Sequence, residues 1–152
     1  MWRSVAYFCL LEILDTCDSQ PSRAIAFYKQ GTSGLAEVYS AFAVGGRELG
    51  LRKETLDLLA APAIRPTRGF YDECMKADGI QFSLGFMKST AAWPFGSARS
   101  YGSPGAGGSL GFADPEAGIG YAYVTSQMGT ALTGDPRDVA LRDALYSALP
   151  GS

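Results

Sequence analysis

Two residue types are missing from the 152-residue sequence, and each absence excludes a kind of site. The chain contains no histidine, which excludes Ser-His-Asp and Cys-His catalysis within the chain and removes the commonest metal ligand. It also contains no asparagine, which excludes every motif that needs one. Any chemistry in this chain must therefore use other side chains or backbone groups.

Cysteine is scarce as well. Cys9, Cys17 and Cys74 are odd in number and have no C-x-x-C spacing, which argues against a disulfide framework and against a zinc site. We interpret them as buried or incidental thiols. The nucleotide-binding pattern G-x-x-x-x-G-K-[ST] is absent too. We therefore expect no metal and no cofactor.

The sequence has no large excess of positive or negative charge. The 13 Lys and Arg residues and the 15 Asp and Glu residues give a formal net charge of −2, and no basic cluster occurs. The composition therefore argues against nucleic acid as a partner, and an anionic lipid surface would not attract the chain. A hydrophobic content of 47% with 18% charged residues is typical of a globular protein, and the length predicts one domain.

The N-terminal region superficially resembles a secretion signal, because Arg3 precedes a short apolar run. Acidic residues follow at once, from Glu12 to Asp18, and no A-x-A cleavage pattern is present. We therefore favour an amphipathic helix and a cytoplasmic protein, while the compartment stays unknown. No apolar run approaches the roughly 20 residues that span a bilayer. We expect residues 1–30 to be an N-terminal helical segment, and they have no recognised resemblance.

Hydrophobic spacing predicts helices in the next part of the chain. Thr32 or Ser33 can cap a helix that ends at Gly45-Gly46. A second, shorter helix covers about 53–60 and stops at Pro62. From residue 79 the period changes to two, which predicts a single strand over 80–87.

The remaining residues predict an antiparallel sheet and a final helix. Strands are expected over about 98–103, 108–113 and 119–125, with a hairpin turn over 114–118. Asp135 can cap the last helix and Pro136 suits its first turn. We expect this helix to approach a face of small residues, namely Gly111, Ala113, Gly120 and Ala122. The predicted fold class is α+β: an antiparallel sheet of three to four strands packed by a C-terminal helix, with N-terminal helices.

The most informative string is Gly102-Ser103-Pro104-Gly105-Ala106-Gly107-Gly108-Ser109, followed by Phe112-Ala113-Asp114-Pro115-Glu116. It resembles the third active-site box of the serine β-lactamases and penicillin-binding proteins, in the form that esterase-like members use. Residues 35–46 are similar to the helix after the second box of that family, and residues 85–87 to the strand that leads into its substrate loop. The segment 31–152 is thus identified as a C-terminal part of a β-lactamase-like domain, with a partial β-lactamase/transpeptidase-like fold.

The resemblance implies a site built around the third box. Ser103 stands where esterase-like members have His and lactamases have Lys, and the Ala106 N–H is the implied oxyanion donor. Ser103, Pro104 and Gly105 are then implied substrate contacts. The aromatic residues nearby either line an acyl pocket or serve as core; they are Trp93, Phe95 and Tyr101. Asp114 and Glu116 look like paired carboxylates, although a solvated turn is the interpretation we favour.

The nucleophile box S-x-x-K is absent, because the residues three before the lysines are Ala26, Gly50, Glu73 and Gly85. Y-x-N is impossible without asparagine. We therefore expect a C-terminal fragment of a serine hydrolase that is inactive alone. The complete enzyme would act on a small ester, amide or β-lactam-like substrate, and a complementary chain carrying S-x-x-K is a conceivable partner.

The alternative is a non-catalytic pseudoenzyme acting as a binding or regulatory partner. An unrelated α+β binding domain whose glycine corner mimics the box is a third possibility.

Overall fold

The computed structural model describes residues 23–73, 76–131 and 134–149, and the side chains from residue 33 onward except that of residue 48. The expected helical segment before residue 23 and the three cysteines lie outside these residues. The elements in chain order are α1 (Arg23–Ala43), a 3-10 turn (Arg47–Leu49), α2 (Lys53–Ala60), β1 (Phe82–Ser83), β2 (Phe86–Lys88), β3 (Tyr101–Gly105), β4 (Ser109–Asp114), β5 (Ile119–Tyr123) and α3 (Pro136–Ser147).

The helix boundaries agree with the sequence prediction at most ends. Helix α2 has the predicted bounds, and α1 ends just before Gly45 and Gly46, both with positive φ. Asp135 caps α3 by accepting a hydrogen bond from the backbone N–H of Arg137. The predicted start of α1 was wrong, because the helix runs unbroken from Arg23 and leaves Thr32 and Ser33 inside it. No helix within the described ranges is long and apolar enough to cross a membrane.

The strands form one antiparallel sheet in the order β1-β2-β3-β4-β5. This confirms the α+β class and the antiparallel sheet, and adds one short strand to the predicted number. The prediction of a single strand over 80–87 was wrong, because the chain reverses at Leu84 and Gly85. Both residues have positive φ, 51° and 84°, as a two-residue hairpin turn requires.

The small-residue face of the sheet is covered by α1, not by the C-terminal helix as the sequence predicted. The backbone of Ser40 lies directly over Gly120, and a Cβ at Gly111 would be 2.5 Å from the ring of Tyr39. Helix α3 covers the opposite face instead, where Leu141 and Leu145 pack against the core. The sheet is therefore the middle layer of three.

Two hydrophobic cores follow from this layering. The core on the α3 side comprises Ile80, Met87, Trp93, Phe95, Leu110, Phe112, Ile119 and Tyr121. The core on the side of α1 and α2 comprises Tyr39, Ala43, Leu56, Leu59, Ala60, Tyr101 and Ala113. Strand β4 contributes to both cores, through Leu110 and Phe112 on one face and Ala113 on the other, so it is anchored on both faces of the sheet.

Candidate functional site

The glycine corner, residues 105–108, joins β3 to β4. The N–H of Gly108 donates a hydrogen bond of 3.3 Å to the carbonyl oxygen of Gly105, which closes a tight turn. Gly107 and Gly108 have φ values of 91° and 101°, a conformation that glycine adopts without steric cost. The string of glycines is thus explained by the backbone geometry of this turn.

The second half of β3, residues 103–105, forms an open edge of the sheet. On one side β3 pairs with β4 along its whole length, from Tyr101 to Gly105. On the other side β2 pairs only with Tyr101 and Gly102. No strand within the described residues pairs with residues 103–105 on that side, so this edge is free to meet a ligand or another chain segment.

The backbone of Ala106 is oriented by the turn that contains it. The Gly105 carbonyl points toward Gly108, with which it is hydrogen bonded. The peptide group joining Gly105 to Ala106 is planar and trans, since the described chain has no cis peptide bond, so the Ala106 N–H points the opposite way. That direction is away from β4 and toward the open edge.

The strand register gives the same direction independently. Ser89 donates its backbone N–H to the carbonyl of Ser100 on the β2 side of β3. Backbone groups of an antiparallel strand alternate between its two neighbours. The backbone groups on the β2 side of the strand are therefore those of residues 100, 102, 104 and 106. Pro104 has no N–H, and at its position no N–H is needed for pairing with β4.

The structure separates the predicted site residues into two groups. Ser103 and Ala106 are exposed, and Pro104 and Gly105 are half-buried, so this part of the box is accessible. The Ser103 hydroxyl donates a long hydrogen bond of 3.4 Å to the Pro104 carbonyl oxygen. Trp93 and Tyr101, by contrast, are 6% and 0% exposed, and they pack in opposite cores.

Tyr101 belongs to a buried cluster on the α1 side. Its ring lies 5.2 Å from Nζ of Lys88, which donates to the carbonyl oxygen of Leu59. Burial raises the pKa of Tyr101 to about 12, with Tyr39 adding to the effect, and lowers the pKa of Lys88. Among the described residues, none is a hydrogen-bond partner of the Tyr101 hydroxyl. In this arrangement Tyr101 is a core residue with no surface for a substrate.

Trp93 is linked to the corner through the α3 side of the sheet. Trp93 and Pro104 line one small cavity of about 10 Å³ together with Gly108 and Asp135. A wider groove of about 320 Å³ runs from Trp93 along α3 as far as Tyr146. Trp93 thus forms part of the wall behind the box, although most of its ring is enclosed.

Asp114 is a buried carboxylate that accepts several hydrogen bonds, a role that the sequence did not reveal. It is 0% exposed, so the prediction of a solvated turn was wrong for this residue and holds only for the exposed Glu116. Oδ2 accepts from the Ser97 N–H at 2.8 Å and from the Tyr146 hydroxyl at 2.6 Å. Oδ1 accepts from the Ser97 hydroxyl and from the N–H groups of Glu116 and Ala117. Its role is to join the hairpin turn to α3, not to pair with Glu116.

An ion pair stands beside the glycine corner. The guanidinium of Arg137 binds both carboxylate oxygens of Asp135, which is 4% exposed. Hydrogen bonds from Arg137 lower the pKa of Asp135 to about 2. No group of three or more His, Cys, Asp or Glu residues that could hold a metal ion occurs in the described part of the chain.

Comparison with solved structures finds the same fold in β-lactamase-related proteins. A family VIII carboxylesterase is 32% identical with a TM-score of 0.64, and the match covers 75% of this chain and 30% of that chain. A penicillin-binding protein homologue from Caulobacter crescentus is 33% identical with a TM-score of 0.66, covering 77% and 31%. EstA from Arthrobacter nitroguajacolicus Rue61a is 31% identical with a TM-score of 0.64, covering 78% and 32%.

The chain therefore spans about a third of the length of the solved structures that it matches. No family model matches the chain. No curated protein matches it either.

Proposed function

We propose that this chain, which carries part of the β-lactamase-related serine hydrolase fold, supplies the β-strand side of an ester- or amide-hydrolysing cleft. The Ala106 N–H would donate one hydrogen bond to the oxyanion that develops on the substrate carbonyl. The Ser103 hydroxyl would contact the substrate beside it. The serine that forms the acyl-enzyme would come from outside the residues 1–152, since this sequence has no S-x-x-K.

The observation that carries the proposal is the direction of the Ala106 N–H. It points to the open edge and away from β4, and Ala106 itself is exposed. A backbone donor fixed in a turn stabilises a developing negative charge without reorganising during the reaction. The carboxylesterase and penicillin-binding-protein folds of the solved relatives support ester or amide chemistry for the complete site.

The uncharged Ser103 favours substrates that need no cation at this position. A hydroxyl can donate one hydrogen bond but cannot neutralise a carboxylate. Arg137, the cation beside the corner, is engaged by Asp135 and by the Gln127 carbonyl. Neutral esters are therefore the preferred substrates over carboxylate-bearing β-lactams.

The test is intact-mass labelling with a fluorophosphonate and, separately, with a penicillin. The chain is measured alone, and then mixed with the part of the carboxylesterase relative that the match does not cover. We expect no adduct on this chain, and an adduct on the added polypeptide only in the mixture. An adduct on this chain alone would mean that it has its own nucleophile and would overturn the proposal.

A matched pair of variants isolates the oxyanion donor. Ala106→Pro removes the N–H, whereas Ala106→Gly keeps it. In the mixture we expect Ala106→Pro to lower ester turnover by about 100-fold or more, as loss of one oxyanion donor does elsewhere, and Ala106→Gly to retain most of it. Equal turnover by both variants would rule out this role for Ala106.

The alternative function is a non-catalytic partner protein. The buried Tyr101 and the missing nucleophile box favour it. A folded chain that neither is labelled nor restores labelling in the mixture would support this alternative and contradict the proposed hydrolase role.

A further inference from the structure

The carboxylate of Asp135 accepts more hydrogen bonds than capping a helix requires. Its Oδ1 accepts from the Arg137 backbone N–H at 3.0 Å, which alone caps α3. The Arg137 side chain adds a two-pronged contact, with Nε 2.9 Å from Oδ1 and Nη2 2.7 Å from Oδ2. Nη1 of the same guanidinium donates to the Gln127 carbonyl at 3.1 Å. We call Asp135 and Arg137 together the Asp135–Arg137 clamp.

The clamp packs directly against the glycine corner and the segment that braces it. A Cβ built on Gly108 would collide with the Asp135 carboxylate, and one on Gly129 would lie 2.8 Å from Oδ2 and 3.1 Å from Nη2 of Arg137. The Gly129 N–H donates a hydrogen bond of 2.8 Å to the carbonyl oxygen of Gly107. These contacts form a continuous path from the start of α3 to the turn that holds Ala106.

We propose that Asp135 and Arg137 are positioning residues that lock the glycine corner, and with it the direction of the Ala106 N–H. The guanidinium fixes the carboxylate against Gly108 and ties the 127–129 segment to α3. That segment then holds the Gly107 carbonyl. A donor fixed in this way would not need to be ordered when substrate binds, which is the requirement for an oxyanion hole. The inference rests on the proposed function, which assigns that role to Ala106.

Arg137 allows the positioning role to be separated from helix capping. Replacing its side chain leaves its backbone N–H, and therefore the cap bond to Asp135, in place. The Arg137 side chain is 44% exposed and that of Asp135 is 5% exposed, so Arg137→Gln removes the cation from the buried carboxylate but leaves it the backbone donor. Arg137→Lys is the conservative variant, since an ammonium keeps the charge but cannot bind both oxygens and the Gln127 carbonyl as the planar fork does.

The first experiment is amide hydrogen exchange by NMR on the chain itself. In Arg137→Gln we expect the amides of Gly108 and Gly129 to exchange about tenfold faster or more, as loss of hydrogen bonds to a charged group predicts. The Phe112 amide in β4 and the Leu145 amide in α3, away from the first turn of that helix, should change little. Arg47→Gln, at an exposed arginine outside the clamp, is the matched control, and Arg137→Lys should fall between the two.

Two results would overturn the inference. One is unchanged exchange at Gly108 and Gly129. The other is an equal acceleration at Phe112 and Leu145, which would indicate general loss of stability instead of a loosened corner.

The second experiment uses the active mixture with the carboxylesterase polypeptide. There Arg137→Gln should lower kcat for an ester while KM stays near its original value. A loosened corner with unchanged kcat would contradict the positioning role. If the unsubstituted mixture has no activity, the proposed function fails, and the exchange data still decide whether the clamp holds the corner.

Discussion

The hydroxyl of Tyr146 in α3 donates a hydrogen bond of 2.6 Å to Oδ2 of Asp114 at the end of β4. The two residues are 32 positions apart in the chain, and the bond fastens the C-terminal helix to the hairpin turn of the sheet. Asp114 has no exposure to solvent, so water cannot solvate its carboxylate. The surrounding protein donors supply the hydrogen bonds that water would otherwise make.

Tyr146→Phe should therefore destabilise the fold. The change leaves the buried carboxylate with one donor fewer, and such losses cost about 1–3 kcal/mol. The measurement is the free energy of unfolding in urea. Tyr71→Phe, at an exposed tyrosine, is the control and should be close to neutral. A Tyr146→Phe variant as stable as the parent would mean that this bond contributes nothing to the attachment of α3.

Stability should fall in acid because of Asp114 and Asp135. Burial by itself raises the pKa of Asp114, but hydrogen bonds from Ser97 and Tyr146 outweigh burial and hold its pKa below the ordinary value. The pKa of Asp135 is lowered to about 2. A carboxyl group with a depressed pKa in the folded state stabilises that state above its unfolded pKa, and the stabilisation is lost as the pH falls from about 4 downward.

Asp138 opposes this trend, because burial raises its pKa despite Arg142 and Tyr121. The check is the unfolding free energy near neutral pH and at about pH 3. Asp114→Asn should show a smaller difference between the two conditions than the parent chain. Glu116→Gln, on the same turn but exposed, should show the parent's difference. An unchanged difference in Asp114→Asn would remove Asp114 from this account.

Lys88 predicts a further rise of stability with pH, on the alkaline side. Residue Lys88 is 4% exposed, and burial lowers the pKa of its amine, so the charged form is favoured in the unfolded state. The stability of the parent chain should therefore rise as the pH increases from the lowered pKa of the folded state toward the unfolded lysine pKa of about 10.4.

Lys88→Met should abolish that rise, whereas Lys53→Met, at an exposed lysine of α2, should preserve it. Urea midpoints at about pH 7 and about pH 9 provide the measurement, below the range in which the tyrosines ionise. The same rise in Lys88→Met as in the parent would show that the buried amine does not cause it.

Gly120→Ala should be among the most destabilising single changes in the sheet. The added methyl group would meet the backbone of Ser40 in α1, which cannot move without shifting the helix. We expect a loss of about 1–3 kcal/mol or more from overpacking. Gly34→Ala is the matched control within α1, because nothing lies within 4 Å of its Cβ position. That change should stabilise by about 0.5–1 kcal/mol through helix propensity. A neutral Gly120→Ala in thermal unfolding would contradict the close approach of α1.

Local features could be predicted well because their causes are local. The turn over 114–118, the bounds of α2 and the Asp135 cap each depend on residues within a few positions of one another. The strand prediction over 80–87 failed because the local pattern of apolar residues is ambiguous. Alternating apolar residues fit one long strand as well as two short ones, and only the positive φ at Leu84 and Gly85 distinguishes the two.

The tight turn at the glycine corner could be predicted from the string of glycines, whereas the burial of the residues around it could not. The site roles of Ser103 and Ala106 stay predictions. The burial of Tyr101 depends on rings contributed by Phe42 and Phe86, which lie far away in the sequence. The role of Asp114 likewise depends on Ser97 and Tyr146.

The sequence by itself determined the α+β class, the glycine corner and the fact that residues 1–152 contain neither histidine nor an S-x-x-K motif. Only the tertiary structure decided that α1 covers the small-residue face, that Asp114 is buried and that the Ala106 N–H points to an open edge. The physical reason is that burial and direction depend on which distant segments pack together. Spacing along the chain records the periodicity of each element, but it does not specify the partner that covers it.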